Sequence, residues 1–218
     1  MTIRAYVYDA YGTLFDVHSV SEKAESEFKG YGKTISEQWR KKQVEYFMLH
    51  QLTGHYKPFS EVTRNALLYT LKNLSLQSNE DALHSLMQSY LELEVYDEVR
   101  ATLETLQNQN KTQIIFSNGN YEMLSPLVEK RELNHLLKVL SVDDVKQYKP
   151  APAAYQYALE TLGVEPYEVL FISSNFWDIT GASSFGFKTA WINRAGLEID
   201  ELGIRPDYIY KDLSGLLE

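Results

Sequence analysis

Ala5-Tyr6-Val7-Tyr8-Asp9-Ala10-Tyr11-Gly12-Thr13-Leu14-Phe15-Asp16 begins as an aromatic and β-branched run and breaks at a polar, glycine-containing turn. A short apolar run stopped by such a turn predicts a buried strand at Ala5–Tyr8, with Asp9 at its carboxyl end. Working outward, residues 16 to 96 change character: they are charged, helical in period and poor in β-branched runs. Thr34-Ile35-Ser36-Glu37 has the form of a capping box opening a helix that runs to Gly54. Ser60 is expected to cap a second helix through about Leu74, and Ser78-Asn79-Glu80-Asp81 to start a third. Tyr96-Asp97 leads into another helix ending near Gln109.

From there apolar runs alternate with helices. Gln113–Phe116, Val139–Val142, Val169–Ile172, Thr189–Ile192 and Tyr208–Tyr210 read as strands. A helix to Leu162 follows Tyr148-Lys149-Pro150, and others follow Gly119 and Asn175. Alternation of this kind predicts a parallel sheet covered on both faces. The expected architecture is α/β: a doubly wound, Rossmann-like core of residues 1–15 and 97–218, with a helical cap of residues 16–96 inserted after the first strand. No internal repeat or low-complexity segment interrupts it.

Composition narrows the function. Apolar residues make up 44% of 218, enough for a sizeable core. A net charge of -9 argues against nucleic acid or an anionic membrane as partner, and requires a local positive pocket for any anionic substrate. There is no cysteine, which excludes a disulfide, a thiolate nucleophile and a cysteine metal site, and suits a reducing cytoplasm. Met1-Thr2-Ile3-Arg4 carries no long apolar stretch, so no signal peptide is expected, and no segment approaches a membrane span.

Ligands bind at the carboxyl ends of the strands in such sheets. Polar residues are dense at three of those ends: Asp9 to Thr13, Ser117 to Gly119 and Ser173 to Asp178. Lys149, in the loop after a fourth strand, reaches the same rim. One cleft is therefore expected to hold Asp9, Asp178, Ser117, Asn118 and Lys149 under the helical insert. An isolated Asp at a strand end is usually a turn former or helix cap. Several such features at successive strand ends make that plain explanation much weaker.

Asp9 to Asp16, Ser117-Asn118-Gly119, Lys149-Pro150 and Ser173-Ser174-Asn175-Phe176-Trp177-Asp178 resemble, in order, the four motifs of the haloacid dehalogenase superfamily. Trp39-Arg40-Lys41-Lys42-Gln43 and Tyr155 are similar to its L-2-haloacid dehalogenase branch. Phosphoryl-transferring members need a second Asp two residues after the nucleophile and an acidic metal ligand in the fourth motif. Here those positions hold Tyr11 and the pair Ser173-Ser174, a poor cage for magnesium.

The resemblance therefore implies metal-free hydrolysis of short L-2-haloacids to D-2-hydroxy acids, with no cofactor. Asp9 attacks C2 and is released by water on its ester carbonyl; Asp178 positions or deprotonates that water, and Lys149 keeps the carboxylates ionised. Thr13 is expected to orient Asp9, and Ser173 and Asn175 to orient Lys149 and Asp178. The Ser117 hydroxyl, Lys149 and the backbone N–H groups after Asp9 are the expected donors to the substrate carboxylate. The resemblance implies Arg40 and Asn118 for the departing halide; for Arg40 the alternative is an ordinary solvated helix position. Tyr11, Phe59 and Trp177 are candidate apolar walls, though aromatics are more often core, and Tyr155 is expected to support the site from its helix. Phe176 stands where the family has a small residue, and narrows the substrate range if it points into the cleft. A homodimer is implied by the same resemblance.

Three other functions stay open: a phosphatase of the same fold, a non-catalytic binder of small carboxylates or of a partner, and hydrolysis of a related activated acid such as a fluorinated one. Gly30-Tyr31-Gly32-Lys33-Thr34 lacks the first glycine and preceding strand of a phosphate loop. The histidines His18, His50, His55, His84 and His135 show no metal-ligand spacing, and no Gly-x-Ser-x-Gly elbow occurs.

Overall fold

A computed structural model describes residues 2–77 and 79–218. Its core is a six-stranded sheet. The strands are β1 (Ala5–Tyr8), β4 (Thr112–Ser117), β5 (Lys138–Ser141), β6 (Val169–Ser173), β7 (Lys188–Ile192) and β8 (Tyr208–Tyr210). They lie in the order β5-β4-β1-β6-β7-β8, and every neighbouring pair is parallel. β6 is buried throughout and β4 over all but its first residue, as strands covered on both faces must be. The helices between them are α5 (Val99–Asn108), α6 (Tyr121–Lys130), α7 (Pro152–Leu162) and α8 (Phe176–Phe185). The winding reverses between β1 and β6, which opens the crevice at their carboxyl ends.

The chain leaves and re-enters this core through a two-stranded antiparallel pair, β2 (Phe15–Asp16) with β3 (Glu94–Val95). Between them lie α1 (Val20–Glu27), α2 (Gly32–Thr53), α3 (Phe59–Asn73) and α4 (Glu80–Ser89). The insert is bound to the core by side chains. Gln51 Oε1 accepts the Tyr148 N–H at 2.6 Å, the Tyr148 hydroxyl donates to the Lys57 carbonyl at 2.6 Å, and the Tyr56 hydroxyl donates to Asp143 Oδ1 at 2.6 Å.

Three local expectations change. The helix expected from a capping box at Thr34 begins earlier, at Gly32, and its end is capped by Gly54 in the left-handed region at φ 69°. Its first N–H, at Gly32, is taken at 2.9 Å by the carboxylate of Glu25 of α1, which also accepts from Gly30, in the turn before the helix, at 2.6 Å. Ser60 is not a cap but lies inside α3, which follows Pro58; its N–H is accepted by Asn120 Oδ1 of the core at 3.3 Å. Val142 belongs to a 3-10 turn, Val142–Asp144, and not to β5. The third helix does start where expected, with Asn79 accepting the Ala82 N–H; Ser78 lies outside the described residues.

Candidate active site

Tyr8, the last residue of β1, is level with Ile115 of β4 and Ile172 of β6. Asp9 is the next residue on, and its N–H donates to the Ile172 carbonyl at 2.9 Å, so its side chain emerges in the crevice between the two neighbours. Asp9 is 4% exposed. Its Oδ2 accepts from Asn175 Nδ2 at 2.7 Å, from the Thr13 hydroxyl at 3.1 Å and from the Ser173 hydroxyl at 3.4 Å, so the side chains of Ser173 and Asn175 hold Asp9, and not Lys149 and Asp178 as expected. Its Oδ1 faces Lys149 Nζ at 3.0 Å.

Lys149 is fully buried and sits between two carboxylates. Besides Asp9, its ammonium donates to Asp178 Oδ2 at 2.6 Å and to the Phe116 carbonyl at 2.9 Å. An ammonium has three protons, and all three are committed. Lys149 therefore has no proton left for a substrate carboxylate, which corrects the expectation that it is one of the donors. Asp178, on the first turn of α8, is also fully buried, and its Oδ1 accepts the Tyr155 hydroxyl at 2.7 Å.

Asn118 holds the Lys149 backbone with both ends of its amide. Its Oδ1 accepts the Lys149 N–H at 2.8 Å and its Nδ2 donates to the Lys149 carbonyl at 3.2 Å. The halide contact that the resemblance implied for Asn118 thus has only the second Nδ2 proton to draw on. Ser117 Oγ accepts the Gly119 N–H at 3.0 Å, and its own proton has no acceptor among the described residues.

Arg40 is brought over this crevice by α2. Its Nη2 lies 3.4 Å from the Tyr11 carbonyl and 3.4 Å from Asn175 Oδ1, and its Nη1 donates to Gln43 Oε1 at 2.7 Å. The solvated alternative is therefore set aside. Tyr11 stacks on Phe59 with centroids 5.4 Å apart, and its hydroxyl is buried without a partner among the described residues. Trp177 packs on Phe47 at 5.2 Å. Phe176 turns away from this group and meets Trp191 edge-on at 5.0 Å within the core.

Several contributors had no role assigned from the sequence. The Ser174 N–H donates to Thr13 Oγ1 at 2.9 Å, which leaves the Thr13 proton for Asp9. Phe47 and Tyr148 complete the aromatic cluster, with centroids 5.4 Å apart. Their signal is present in hindsight: Tyr148 precedes Lys149, and Phe47 shares a helix face with Arg40.

Burial dominates the electrostatics. It pushes the Asp178 carboxyl up to about 6, with the Asp9 charge adding to the shift and Lys149 opposing it. Burial alone pulls the Lys149 ammonium down, but the charges of Asp178 and Asp9 outweigh it, and the lysine stays charged with a raised pKa. Among the described residues no cluster of three or more His, Cys, Asp or Glu is placed to hold a metal ion, and no helix is long and apolar enough to cross a membrane.

A family model of haloacid dehalogenase-like hydrolases matches residues 3–186. A haloacetate dehalogenase of Moraxella sp. (strain B) is 42% identical over 210 residues, which are 94% of this chain and 92% of the relative. An (S)-2-haloacid dehalogenase of Pseudomonas putida is 40% identical over 97% of this chain and 95% of its own. The structure of an L-2-haloacid dehalogenase from Xanthobacter autotrophicus with chloropropionic acid covalently bound superposes with a TM-score of 0.94, at 36% identity, covering 99% of this chain and 97% of the other.

The cluster has a testable energetic consequence. Lys149→Met leaves two buried carboxylates without their cation, which is expected to cost about 3–5 kcal/mol at pH 8. Burial already raises the Asp178 carboxyl, and without Lys149 nothing opposes it, so stability present at low pH is lost as pH rises through the raised Asp178 pKa. Urea unfolding at pH 5 and pH 8 reads this: the loss is expected to be smaller at pH 5, and equal losses at the two pH values would refute the charge argument.

Proposed function

The chain belongs to the haloacid dehalogenase-like hydrolases, in their L-2-haloacid dehalogenase branch, and from that premise we propose that Asp9 is the nucleophile of a hydrolytic dehalogenation. The reaction acts on the carbon–halide bond of L-2-haloacids. A carboxylate oxygen of Asp9 attacks C2, the C–X bond breaks, and halide leaves from the opposite face. The ester then takes water at its carbonyl carbon, a proton passes to Asp178, and the acyl C–O bond breaks as Asp178 returns that proton to the departing alkoxide oxygen, which releases the D-2-hydroxy acid; the Asp9 carboxyl loses its remaining proton to solvent.

The observation that carries this reading is the asymmetry of Asp9. Oδ2 is held by Asn175, Thr13 and Ser173, whereas among the described residues Oδ1 faces only Lys149. Oδ1 keeps the freer lone pairs and is our choice for the attacking atom. Oδ2 then becomes the ester carbonyl oxygen, and the same three donors are ready for the negative charge that develops on it when water adds. Lys149 acts by its charge, holding both carboxylates ionised in a buried place. What supports reaction without a metal is the donor set: the lysine ammonium already lies within 3.0 Å of both carboxylates, and Tyr11 and Ser174 stand at the positions where the resemblance would require acidic residues.

Ser117 is the proposed side-chain donor to the substrate carboxylate, with backbone N–H groups after Asp9. Arg40 receives the halide, and Tyr11, Phe59, Phe47 and Trp177 surround the alkyl group. Residues 16–96 serve as the cap over these groups, and Tyr155 and Asn118 hold Asp178 and Lys149 in place. We also propose a cytoplasmic homodimer. Leu49 and Leu52 of α2 and Tyr69 of α3 are exposed apolar side chains on neighbouring helices, and they supply material for a two-fold contact. Sedimentation at micromolar concentration is expected to give twice the chain mass, and Leu52→Glu the chain mass.

Oxygen labelling tests the nucleophile. In a single turnover in water enriched in oxygen-18, L-2-chloropropionate is expected to give unlabelled D-lactate, with the label retained in the peptide containing Asp9, and Asp9→Asn to release no chloride. Label in the first-turnover product would mean direct attack by water, and would end the ester mechanism.

The pH profile tests Asp178. The base must be ionised, so turnover is expected to fall as pH drops below about 6 and to level off above it. Asp178→Asn is expected to stall after the first step, so that mass spectrometry finds the protein heavier by one 1-carboxyalkyl group (1-carboxyethyl from L-2-chloropropionate). A variant that turns over normally would remove Asp178 from the mechanism.

A further inference from the structure

Gln43 is fully buried, although it lies in a helix that forms the outer layer of the molecule. A buried primary amide must place two N–H donors and a carbonyl acceptor. Gln43 Oε1 accepts twice: from Arg40 Nη1 at 2.7 Å and from the Tyr90 hydroxyl at 3.0 Å. Its Nε2 donates to Thr63 Oγ1 at 2.7 Å, and the Thr63 hydroxyl passes its proton to the Phe59 carbonyl at 2.7 Å. The amide cannot be turned over, because a guanidinium offers donors only and would then meet an NH₂ group. Arg40 of α2 is therefore tied through one side chain to α3 by way of Thr63 and to Tyr90, the residue that ends α4.

We propose that Gln43 is a positioning residue for the halide site: it fixes the Arg40 guanidinium over the Asp9 crevice while leaving its positive charge unpaired. The proposal rests on the reading that Arg40 receives the halide. Gln43 and Arg40 are one helical turn apart and face the same way. A carboxylate at this place would hold the guanidinium at least as firmly, with a charge-assisted bond, but it would also neutralise it. A neutral acceptor gives the geometry without cancelling the field that a departing anion needs. The short 2.7 Å bond to Gln43, against the 3.4 Å contacts to Tyr11 and Asn175, identifies Gln43 as the main anchor and leaves Nη2 the freer arm.

The test compares Gln43→Leu, which removes the anchor, with Gln43→Glu, which keeps an anchor and cancels the charge. Thr63→Val is nearly isosteric; it removes the acceptor that orients the amide, together with the hydroxyl's bond to the Phe59 carbonyl, and leaves Gln43 and Arg40 themselves in place. Bromide affinity is measured by titration calorimetry, and kcat and KM with L-2-chloropropionate, alongside thermal unfolding. Both Gln43 variants are expected to bind bromide about tenfold more weakly, the loss of one charge-assisted contact, with kcat reduced more than KM is raised. Thr63→Val is expected to shift both in the same direction by a smaller factor, and it carries the test if a Gln43 variant fails to fold. Bromide affinity within twofold of wild type in all folded variants would overturn the proposal, even where the melting temperature falls, because that is the pattern of a purely structural glutamine. So would a wild type that binds no bromide. A wild type that binds bromide but releases no chloride would end the dehalogenase reading, and the Gln43 proposal would still be decided by the affinities.

Discussion

A lysine buried between two buried carboxylates is the constraint on which the rest of the structure depends. Removing each ion from water costs several kcal/mol, and the mutual attraction repays this only when geometry and remaining hydrogen bonds are complete. Here they are. Every Lys149 proton has an acceptor, Asp9 has three neutral donors besides, and Asp178 has the Tyr155 hydroxyl. This arrangement needs Asp9, the Phe116 carbonyl and Ser173 to stand level on three adjacent strands, as β4, β1 and β6 provide at the point where the winding reverses. It also needs α7 and α8 to approach closely enough for Tyr155 to reach Asp178. Gly181 permits that approach: a Cβ there would lie 2.6 Å from Pro150 Cβ and collide with the Tyr155 hydroxyl.

The insert answers a different problem. The core side of the crevice carries two carboxylates and one ammonium, and the chain as a whole has a net charge of -9, so an anion approaching Asp9 meets an unfavourable field. Arg40 adds a second cation from the opposite side. Its surroundings are neutral and aromatic, with Gln43, Tyr90 and the stacked pair of Tyr11 and Phe59. Charges are strong where water is excluded. A cation in this apolar setting therefore does more for an anion than the same residue would on an open helix face.

The sequence resolved the catalytic side of the crevice better than the insert, for a physical reason. Buried parallel strands read as continuous apolar runs, and the residue that ends each run lies at the rim, so Asp9, Ser117 and Ser173 could be located from pattern alone. Lys149 and Asp178 followed from the same strand ends. Helical periodicity shows which residues share a face, but not what that face meets. Arg40 came from resemblance, helical spacing put Phe47 on its face, Gln43 was visible but without a role, and Tyr148 emerged only with the packing. The missed helix starts have one cause. Both α2 and α3 are capped from elsewhere in the molecule, by Glu25 and by Asn120, so the local capping signal at Thr34 or Ser60 pointed to residues already inside their helices. α4 is capped by its own Asn79, and there the local signal sufficed.

In the proposed reaction the two carboxylates divide two chemical tasks between them. Both touch the same ammonium, yet their other partners differ. Asp9 is surrounded by donors that favour its charged form and the oxyanion formed at its own carbonyl, which suits a group that must first attack and then be attacked. Asp178 is more deeply buried and has one hydroxyl donor besides the lysine, and burial raises its pKa to about 6. A carboxylate in that range is basic enough to take a proton from water and still largely ionised at neutral pH. Different environments around chemically identical side chains are the usual way to assign nucleophile and base. In this fold the difference follows from position: Asp9 sits at the open end of a strand, facing hydroxyl and amide donors, and Asp178 sits inside the first turn of a helix, against an aromatic wall.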